Sequence, residues 1–440
     1  MTVLKAGVVP PMRGDCSSLL LALRGISVLG VNPPVFDFAF FDLWARPFGL
    51  LCLLQALRER GNDVSLLDGL HEVPEKDRSF GRSVPQSRII EKPEPYRGVP
   101  RHYRHFGLSE EAFCRRLEEM DRPDLILVTS AMTYWYPGVF WSIERLRFRF
   151  PDVPILLGGL YARLCPDHAS RSGADFIQTE AFPLTSFHPA LDLYERPRFG
   201  LALTSLGCPG RCSYCASSLL WPRWGLRSLE AVVTEIRAQL AFPEVHDLAF
   251  YDDALLADKE RHFYPLCREL RRFPDVAFHA PNGLHVCQID DRCARMLRDS
   301  SFRTLRLSFE GRDVTVAAAS RGKVHPGQFE RALECLRKVG YEDDDLETYL
   351  LVGLPGQSVD DIARSIDYVL SLGAKVRLAE FSPIPGTPLF DESCRLVPAL
   401  AEEPLLHNNS VYVPFVASDL SAGEMQELKD RARRGSRKAV

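Results

Sequence analysis

The chain has 440 residues, 46% of them hydrophobic and 25% charged, with a formal net charge of −4. This composition excludes extensive disorder, and the length predicts two domains rather than one. The near-neutral charge argues against binding nucleic acid, and no apolar stretch reaches the roughly 20 residues that cross a bilayer. The 12 cysteines, mostly scattered singly, indicate a reducing compartment. We therefore expect a cytoplasmic protein with no membrane span.

Residues 1–185 show strands that alternate with helical patterns. The β-branched run Ile26–Val31 stops at Asn32-Pro33-Pro34, and a helix begins at Pro47 and ends at Gly61. Further strands are expected at Val64–Leu67, Leu125–Val128, Ile155–Leu157 and Asp175–Ile177, with a helix at Val139–Arg149. This alternation predicts an α/β domain with a Rossmann-like parallel sheet.

A proline-rich insertion interrupts this first domain at about residues 71–107. It has no sustained hydrophobic period, so we expect an insertion or extended loop, either a lid or mere decoration. A second proline-rich stretch at residues 186–198 is interpreted as a linker.

Residues 199–395 contain six strand-then-helix units. The strands are expected near Leu201–Thr204, Asp247–Phe250, Val276–His279, Thr304–Phe309, Glu347–Leu351 and Val376–Phe381. Successive right-handed crossovers of this number predict a partial (βα)6 TIM-type barrel, with its chemistry at the carboxyl ends of the strands. Residues 396–440 form a C-terminal extension, whose basic end Lys429–Lys438 we interpret as a solvated tail, with a nucleic-acid contact as the alternative.

Three thiols follow the first strand of this barrel: Cys208, Cys212 and Cys215. Three thiolates on one tight loop can hold three irons of a [4Fe-4S] cluster and leave the fourth iron open. The alternative is a zinc knuckle, which ordinarily needs a fourth ligand nearby. No further Cys or His follows Cys215 before His246, so the spacing favours the cluster.

This Cys-x-x-x-Cys-x-x-Cys loop resembles that of the radical S-adenosylmethionine (SAM) superfamily. The other strand ends carry similar matches, namely Tyr251-Asp252-Asp253, Ser308-Phe309-Glu310-Gly311, Arg321-Gly322-Lys323, Gly353-Leu354-Pro355-Gly356-Gln357 and Ser382–Leu389. The resemblance implies a SAM site formed by Tyr214, Asp252, Asp253, Glu310, Arg321, Gly353 and Pro355. Tyr214 would lie beside adenine, the carboxylates would accept from the ammonium or the ribose, and Arg321 would meet the SAM carboxylate. Taken singly, each motif could also be only a turn or a helix cap.

A second resemblance covers roughly Gly25 to Glu180, which looks like the cobalamin-binding Rossmann-like domain of one branch of that superfamily. The matching pieces are Asn32-Pro33-Pro34, Pro47-Phe48-Gly49-Leu50, Val128-Thr129-Ser130-Ala131, Gly158-Gly159 and Gly173-Ala174-Asp175. They imply cobalamin contacts at Asn32, Thr129, Ser130, Gly158 and Gly159. None of the 11 histidines follows an Asp by two residues, so the Asp-x-His-x-x-Gly cobalt-ligand motif is absent from the sequence.

An empty, structural Rossmann-like domain therefore stays an alternative to cobalamin binding. The aromatic run Tyr134-Trp135-Tyr136 has two interpretations as well. It could line the corrin face or a substrate pocket, or it could be simple packing.

The resemblance implies an enzyme whose [4Fe-4S] cluster passes an electron into SAM and releases methionine and a 5′-deoxyadenosyl radical. With cobalamin bound, the reaction could be methyl transfer to a carbon or phosphorus centre of a small-molecule or peptide substrate, with flavodoxin or ferredoxin as electron donor. The alternatives are a non-methylating radical enzyme with an empty first domain and a non-catalytic metal-binding scaffold. Only 46 residues follow Cys394 (440 − 394), too few for the RNA-binding barrel of the methylthiotransferase branch.

Overall fold

The computed structural model describes residues 11–71, 78–323, 325–416 and 420–438. The chain divides into two compact units. The first consists of Met1–Pro197 and the short segment Glu402–Leu406, and the second of Arg198–Ala401 and His407–Val440. The first unit thus includes the stretch expected to be a linker, and it takes in a later segment that the sequence did not indicate.

The first unit contains a parallel sheet of six strands among its described residues, in the order β1-β9-β8-β7-β2-β4. These strands are β1 (Met12–Gly14), β2 (Ser27–Asn32), β4 (Asp63–Asp68), β7 (Leu125–Val128), β8 (Ile155–Leu157) and β9 (Phe176–Gln178). The helices are α1 (Ser17–Ala22), α2 (Phe48–Arg58), α3 (Glu110–Glu118), α4 (Tyr136–Arg149), α5 (Leu160–Leu164) and α6 (Pro166–Ala169).

Two apolar clusters cover the two faces of this sheet. On one face, Leu50, Leu54 and Leu57 of α2 pack with strand residues such as Leu127. On the other face, α3 and α4 contribute Phe113, Ile143 and Leu146, which pack with Ile126 and Val128. Because adjacent residues of β7 point to opposite faces, the strand is apolar throughout. The predicted parallel sheet flanked by helices is confirmed.

The proline-rich insertion has regular structure of its own. Two of its strands, β5 (Ser87–Ile89) and β6 (Arg104–Phe106), form an antiparallel sheet with β3 (Val35–Asp37), which precedes the insertion in the chain, in the order β3-β6-β5. Of the two expectations, an insertion or an extended loop, the extended loop is wrong for these residues, because β6 pairs with a strand on each side. Residues 72–77 of the insertion lie outside the described residues.

The second unit is built on another parallel six-stranded sheet within the described part of the chain, in the order β10-β13-β14-β15-β16-β17. Its strands are β10 (Gly200–Ala202), β13 (Asp247–Phe250), β14 (Ala277–His285), β15 (Phe302–Glu310), β16 (Leu346–Val352) and β17 (Lys375–Glu380), and a small hairpin pairs β11 (Ser205–Leu206) with β12 (Gly225–Leu226). The helices are α7 (Ser217–Leu220), α8 (Leu229–Gln239), α9 (Phe263–Leu270), α10 (Asp291–Asp299), α11 (Val314–Ala319), α12 (Pro326–Lys338), α13 (Val359–Ser371), α14 (Pro388–Leu396), α15 (Asn409–Val411) and α16 (Ala422–Lys438).

The two faces of β15 differ in character. Leu305, Leu307 and Phe309 are fully buried, and Phe309 stacks on Phe329 of α12 with ring centroids 4.5 Å apart. This face therefore points toward the helices. Because side chains alternate along a strand, Arg306 and the residues that share its side point to the barrel interior. The partial (βα)6 barrel expected from the sequence is the fold of this unit.

The basic C-terminal stretch forms most of α16, which packs on β17 and α13. Lys429 Nζ lies 2.9 Å from Glu380 Oε1 at the end of β17, and the Arg431 guanidinium donates to both oxygens of Asp367 on α13. The interpretation as a solvated tail is therefore wrong, because the helix packs on the last strand and both Lys429 and Arg431 have partners on neighbouring elements. Among the described helices, none is both long and apolar enough to span a bilayer.

Candidate active site

The three clustered thiols lie on the loop that joins the β11 strand to α7. Each of Cys208, Cys212 and Cys215 is partly exposed. The loop is held by Ser213, whose backbone N–H donates to the Ala319 carbonyl at 2.8 Å and whose carbonyl accepts from Leu389 at 3.1 Å. The last residue of α11 and the first turn of α14 thus fix the loop from two sides.

One cation lies among these thiols. Burial raises the pKa of Cys208 and of Cys212, and the positive charge of Lys323 opposes that shift at both. Lys323 Nζ also donates to Glu310 Oε1 at 3.0 Å. Since metals bind thiolates rather than thiols, a buried ammonium here favours ligation. No three His, Cys, Asp or Glu side chains of the described residues are grouped to hold a single metal ion, whereas the thiolate ligands of a cubane each bind a different iron.

Tyr214 carries a buried polar group next to these thiols. Its hydroxyl has no hydrogen-bond partner of ordinary geometry, although it lies beside Cys212 and close to Glu310. Burial, and then the Glu310 carboxylate, raise the pKa of this phenol. A buried donor without a partner is costly, so its position inside the cysteine loop fits a site that a ligand completes.

Asp252 and Asp253 differ sharply, although they are adjacent. Asp252 is 3% exposed and accepts hydrogen bonds from four donors, the backbone N–H and hydroxyl groups of Thr204 and Ser205. The Thr204 hydroxyl donates to Asp252 at 2.7 Å, so it accepts from His262 Nε2 at 2.6 Å. Asp252 thus ties the end of β13 to the end of β10, and its ligand role stays a prediction.

The Asp253 side chain is exposed, yet desolvation by the surrounding protein raises its pKa, partly offset by a hydrogen bond from Ser217. It is electrostatically coupled to Cys208. Of the adjacent pair, Asp253 is therefore the carboxylate that can reach a ligand.

Glu310 ends β15 in an unusual conformation. Its φ is +72°, and the pairing with β16 shifts register between Ser308 and Glu310. The irregularity places its carboxylate next to Lys323. Arg321, expected to meet the SAM carboxylate, is exposed with φ +55°, and it is Lys323, two residues later, that reaches the thiols.

The loop after β16 is a closed turn. The backbone N–H groups of Gly353 and Leu354 donate to Gln357 Oε1 at 2.9 and 3.3 Å. Gly353 has φ +83°, and a Cβ there would lie 2.4 Å from Val413 Cγ2. Fold constraints therefore explain this glycine, and the SAM contacts of Gly353 and Pro355 stay predictions.

Two residues of the site had no role assigned from the sequence: Lys323, which was named only as part of the matched segment Arg321-Gly322-Lys323, and His285, which was missed. His285 ends β14, pairs in register with Ser308, and has its pKa lowered to about 3 by burial and by the charge of Lys323. The strand was expected from the sequence only near Val276–His279. In the structure, register shifts carry β14 on to His285.

In the first unit, a cavity of about 110 Å³ opens at the carboxyl ends of β2 and β7. Among the residues implied by the cobalamin resemblance, Asn32, Thr129 and Ser130 line it, whereas Gly158 and Gly159 do not. The full lining is Asn32, Pro33, Pro34, Val35, Phe40, Ala45, Arg46, Pro47, Leu70, Thr129, Ser130, Ala131, Trp135 and Val139.

Most of the polar groups implied there are already bonded within the protein. Asn32 Nδ2 donates to Asp68 Oδ1 at 2.7 Å, and Ser130 Oγ donates to the Gly158 carbonyl at 2.6 Å. Gly159 has φ +93°, and a Cβ there would lie 2.1 Å from the Ser130 carbonyl oxygen. The fold alone therefore explains these residues, and their cobalamin contacts stay predictions.

The aromatic run splits between its two interpretations. Tyr134 is buried, and Tyr136 packs against Phe140 while its hydroxyl donates to Glu403 at 3.2 Å. Trp135 lines the cavity, and its Nε1 donates to Asp37 Oδ2 at 2.7 Å.

The fold and site define a class: an α/β protein with two parallel sheets, whose second sheet carries three thiols after its first strand. Residues 203–369 match the family model described as the Radical SAM superfamily. This segment is a radical SAM domain, and the resemblance drawn from the thiol spacing is confirmed.

Two solved structures have the same overall fold. Both are of the radical S-adenosylmethionine methyltransferase TsrM from Kitasatospora setae, one with tryptophan substrate and a SAM analogue, the other with cobalamin and a [4Fe-4S] cluster. The first has a TM-score of 0.60 at 17% identity over 84% of this chain and 76% of that one. The second has a TM-score of 0.59 at 17% identity over 85% and 76%.

Three curated relatives match part of the chain. An uncharacterized methyltransferase of Pyrococcus horikoshii is 23% identical over 197 residues, 44% of this chain and 41% of the relative. Cytidylyl-2-hydroxyethylphosphonate methyltransferase of Streptomyces wedmorensis is 24% identical over 212 residues, 45% and 38% of the two chains. The ribosomal protein uS12 methylthiotransferase RimO of Pelobacter propionicus is 26% identical over 244 residues, 51% and 52%. The chain thus spans between two fifths and about half of the length of these relatives.

Proposed function

We propose that the protein is a radical SAM enzyme that holds a [4Fe-4S] cluster on Cys208, Cys212 and Cys215 and cleaves SAM reductively. The observation that carries the proposal is the gathering of these thiols with Lys323 at one end of a radical SAM barrel. When bound, the cluster supplies one electron to SAM, whose carbon–sulfur bond breaks to give methionine and a 5′-deoxyadenosyl radical.

The surrounding residues have distinct tasks in this proposal. Lys323 stabilises thiolate charge and is itself held by Glu310. Tyr214 offers a buried hydroxyl that a bound cofactor would satisfy. Asp253 offers an exposed carboxylate for the SAM ammonium, and Asp252 keeps the strand ends in place behind it.

We propose further that the first unit binds cobalamin at the carboxyl ends of β2 and β7, where parallel sheets of this class bind ligands. The shared fold with TsrM supports this proposal, and the cavity of about 110 Å³ has room for only one part of such a large cofactor. The methyltransferase names of two relatives support methyl transfer, and we propose carbon or phosphorus as the acceptor. When bound, cobalamin supplies a carrier for the methyl group. A cytoplasmic location and an electron donor such as flavodoxin or ferredoxin stay predictions.

The cluster is tested by anaerobic reconstitution. Wild-type protein is expected to bind about four irons and four sulfides and to form 5′-deoxyadenosine with dithionite and SAM. Cys212→Ala is expected to lower 5′-deoxyadenosine at least about 100-fold, because one iron loses its thiolate. The matched control is Cys114→Ala on α3, a partly exposed thiol of the other unit, which should retain both iron and activity. Equal yields from the two variants would refute the ligand assignment.

Cobalamin binding is tested at the cavity rim. Ala131 is exposed and lines the cavity, so Ala131→Trp should fill space without disturbing the core. We expect the corrin retained after gel filtration to fall about tenfold, with iron content unchanged. Ala241→Trp, at an exposed alanine of the second unit, is the control. A wild-type protein that retains no corrin would leave the empty Rossmann-like domain as the correct alternative.

A further inference from the structure

The interior of the barrel has two charged layers at different depths. The layer nearest the thiols, here called the cluster layer, consists of Asp253, Glu310 and Lys323. The second, here called the arginine layer, consists of Arg306, Glu347 and Arg377. Arg306 precedes Glu310 by four residues on the same strand, which at about 3.3 Å per residue separates the layers by roughly 13 Å.

Strand register places the arginine layer on the interior face. Arg306 is in register with Glu347, and Arg377 with Tyr349, which itself is in register with Ser308. Neighbours in register point to the same side of a sheet, so all of these side chains share the face opposite to the helices. The Tyr349 hydroxyl crosses this interior and donates to the Pro281 carbonyl on β14 at 3.2 Å.

The arginine layer has more positive than negative charge. Arg377 grips Glu347 with two hydrogen bonds of 3.0 Å, and Arg306 pairs with the same carboxylate. Two guanidinium groups therefore share one carboxylate, a formal charge of +1. The Arg306 side chain is only 10% exposed, so bulk water offsets little of that charge, whereas Arg377 is 59% exposed and accessible.

The cluster layer has the opposite balance. Its two carboxylates and one ammonium sum to a formal −1, which complements SAM, a cation of net +1 from its sulfonium, ammonium and carboxylate groups. The net formal charge becomes positive only in the arginine layer, farther from the thiols. Elsewhere, the Asp247 carboxylate lies 2.9 Å from His279 Nε2, and Lys375 pairs with Asp344.

We propose that the arginine layer binds an anionic group, a carboxylate or a phosphonate, of the substrate. Guanidinium forks match the planar or tetrahedral oxygens of both groups. His285 and Ser308 are in register with each other and lie between the two layers, where we place the rest of the substrate. This inference rests on the proposed function, since it assigns the substrate end of the same barrel.

The test uses methylphosphonate and acetate as probes, titrated into the reconstituted full chain and followed by calorimetry. We expect saturable binding at one site per chain, and the probe that binds more tightly identifies the class of anion. Arg377→Gln should weaken binding about fivefold, because one of the two forks is lost. Iron content and melting temperature check that each variant is folded.

Two further variants separate binding from a purely structural ion network. Glu347→Gln removes the shared carboxylate and should tighten probe binding about threefold, whereas a structural network predicts loss of stability with no gain in affinity. Arg364→Gln, an exposed arginine of α13 paired with Asp361, should bind the probes like wild type. No saturable binding, or equal affinities for Arg377→Gln and Arg364→Gln, would overturn the inference. If wild type still forms 5′-deoxyadenosine, that result leaves the proposed function standing.

Discussion

The two units differ in whether the polar groups of their cofactor-like motifs are already hydrogen-bonded within the protein. In the first unit, the small and polar residues Ser130, Gly158 and Gly159 are bonded to each other or in close contact. In the second unit, the cysteine loop holds a buried hydroxyl on Tyr214 that lies beside Cys212 and has no hydrogen-bond partner of ordinary geometry. The fold alone explains the motif of the first unit, whereas the motif of the second unit leaves the Tyr214 hydroxyl available for a hydrogen bond to a bound ligand.

The difference teaches how to weigh such motifs. A glycine or serine at a strand end fits both a ligand and a close approach of backbone, so its presence discriminates little. Three thiols beside a buried ammonium have no comparable packing explanation. The cofactor assignment of the second unit is accordingly the stronger, and three experiments can break or sharpen the contrast.

The largest effect is expected at Gly159. Gly159→Ala would place a Cβ 2.1 Å from the Ser130 carbonyl oxygen at φ +93°, so strain and overpacking should cost roughly 2–6 kcal/mol of unfolding free energy. Gly49→Ala is the control in the same unit, because nothing lies within 4 Å of the new Cβ and alanine favours the helix. Chemical denaturation measures both. A stable Gly159→Ala protein that binds less corrin would reverse the comparison and make this glycine a ligand residue.

A smaller effect is expected at the two aspartates. Asp252→Asn presents an amide to donors from Thr204 and Ser205, so it should cost about 2–4 kcal/mol of unfolding free energy. Asp253→Asn should leave stability within about 0.5 kcal/mol, because its side chain is exposed. It should instead weaken SAM binding about fivefold, measured by equilibrium dialysis. The reverse pattern would show that Asp252 holds the ligand.

The smallest effect is a pH dependence in the first unit. His105 is fully buried, neither ring nitrogen makes a hydrogen bond, and burial followed by the charge of Arg88 lowers its pKa to about 4. The unfolded chain takes up this proton near pH 6.5, so the contribution of neutral His105 is complete above that pH and is lost as pH falls to 4. The loss is about 2 kcal/mol at pH 5.

His105→Phe should remove that loss, since phenylalanine cannot be protonated. The variant should unfold at higher denaturant than wild type at pH 5 and at a similar concentration at pH 7.5. His102→Phe, at an exposed histidine of the same insertion, is the control. If both variants respond to pH like wild type, His105 does not set the acid sensitivity.

The sequence was sufficient for the cysteine loop and for every strand of the two parallel sheets except β1 (Met12–Gly14), because these features depend on local patterns. Buried parallel strands are short apolar runs, and thiol spacing is visible in the chain. It failed where distant partners decide the structure. β6 became a strand because β3 and β5 lie on either side, and the basic run became a packed helix because Glu380 and Asp367 meet its cations.

The missed site residues have the same explanation. Nothing in the local sequence distinguishes Lys323 from Arg321, and only the fold shows which cation turns toward the thiols. His285 was missed because the strand was expected to end near His279, whereas register shifts let β14 continue to His285.

The short segment Glu402–Leu406 belongs to the first unit, although the residues before and after it in the chain belong to the barrel unit. The Tyr96 hydroxyl, fully enclosed, donates to the Leu405 carbonyl at 2.8 Å. A fragment that ends at residue 197 would lack Leu405, so the buried Tyr96 hydroxyl would lose its hydrogen-bond acceptor. A single cut between the two units would therefore not give two complete domains. The first unit would also need the segment Glu402–Leu406, supplied as a separate peptide.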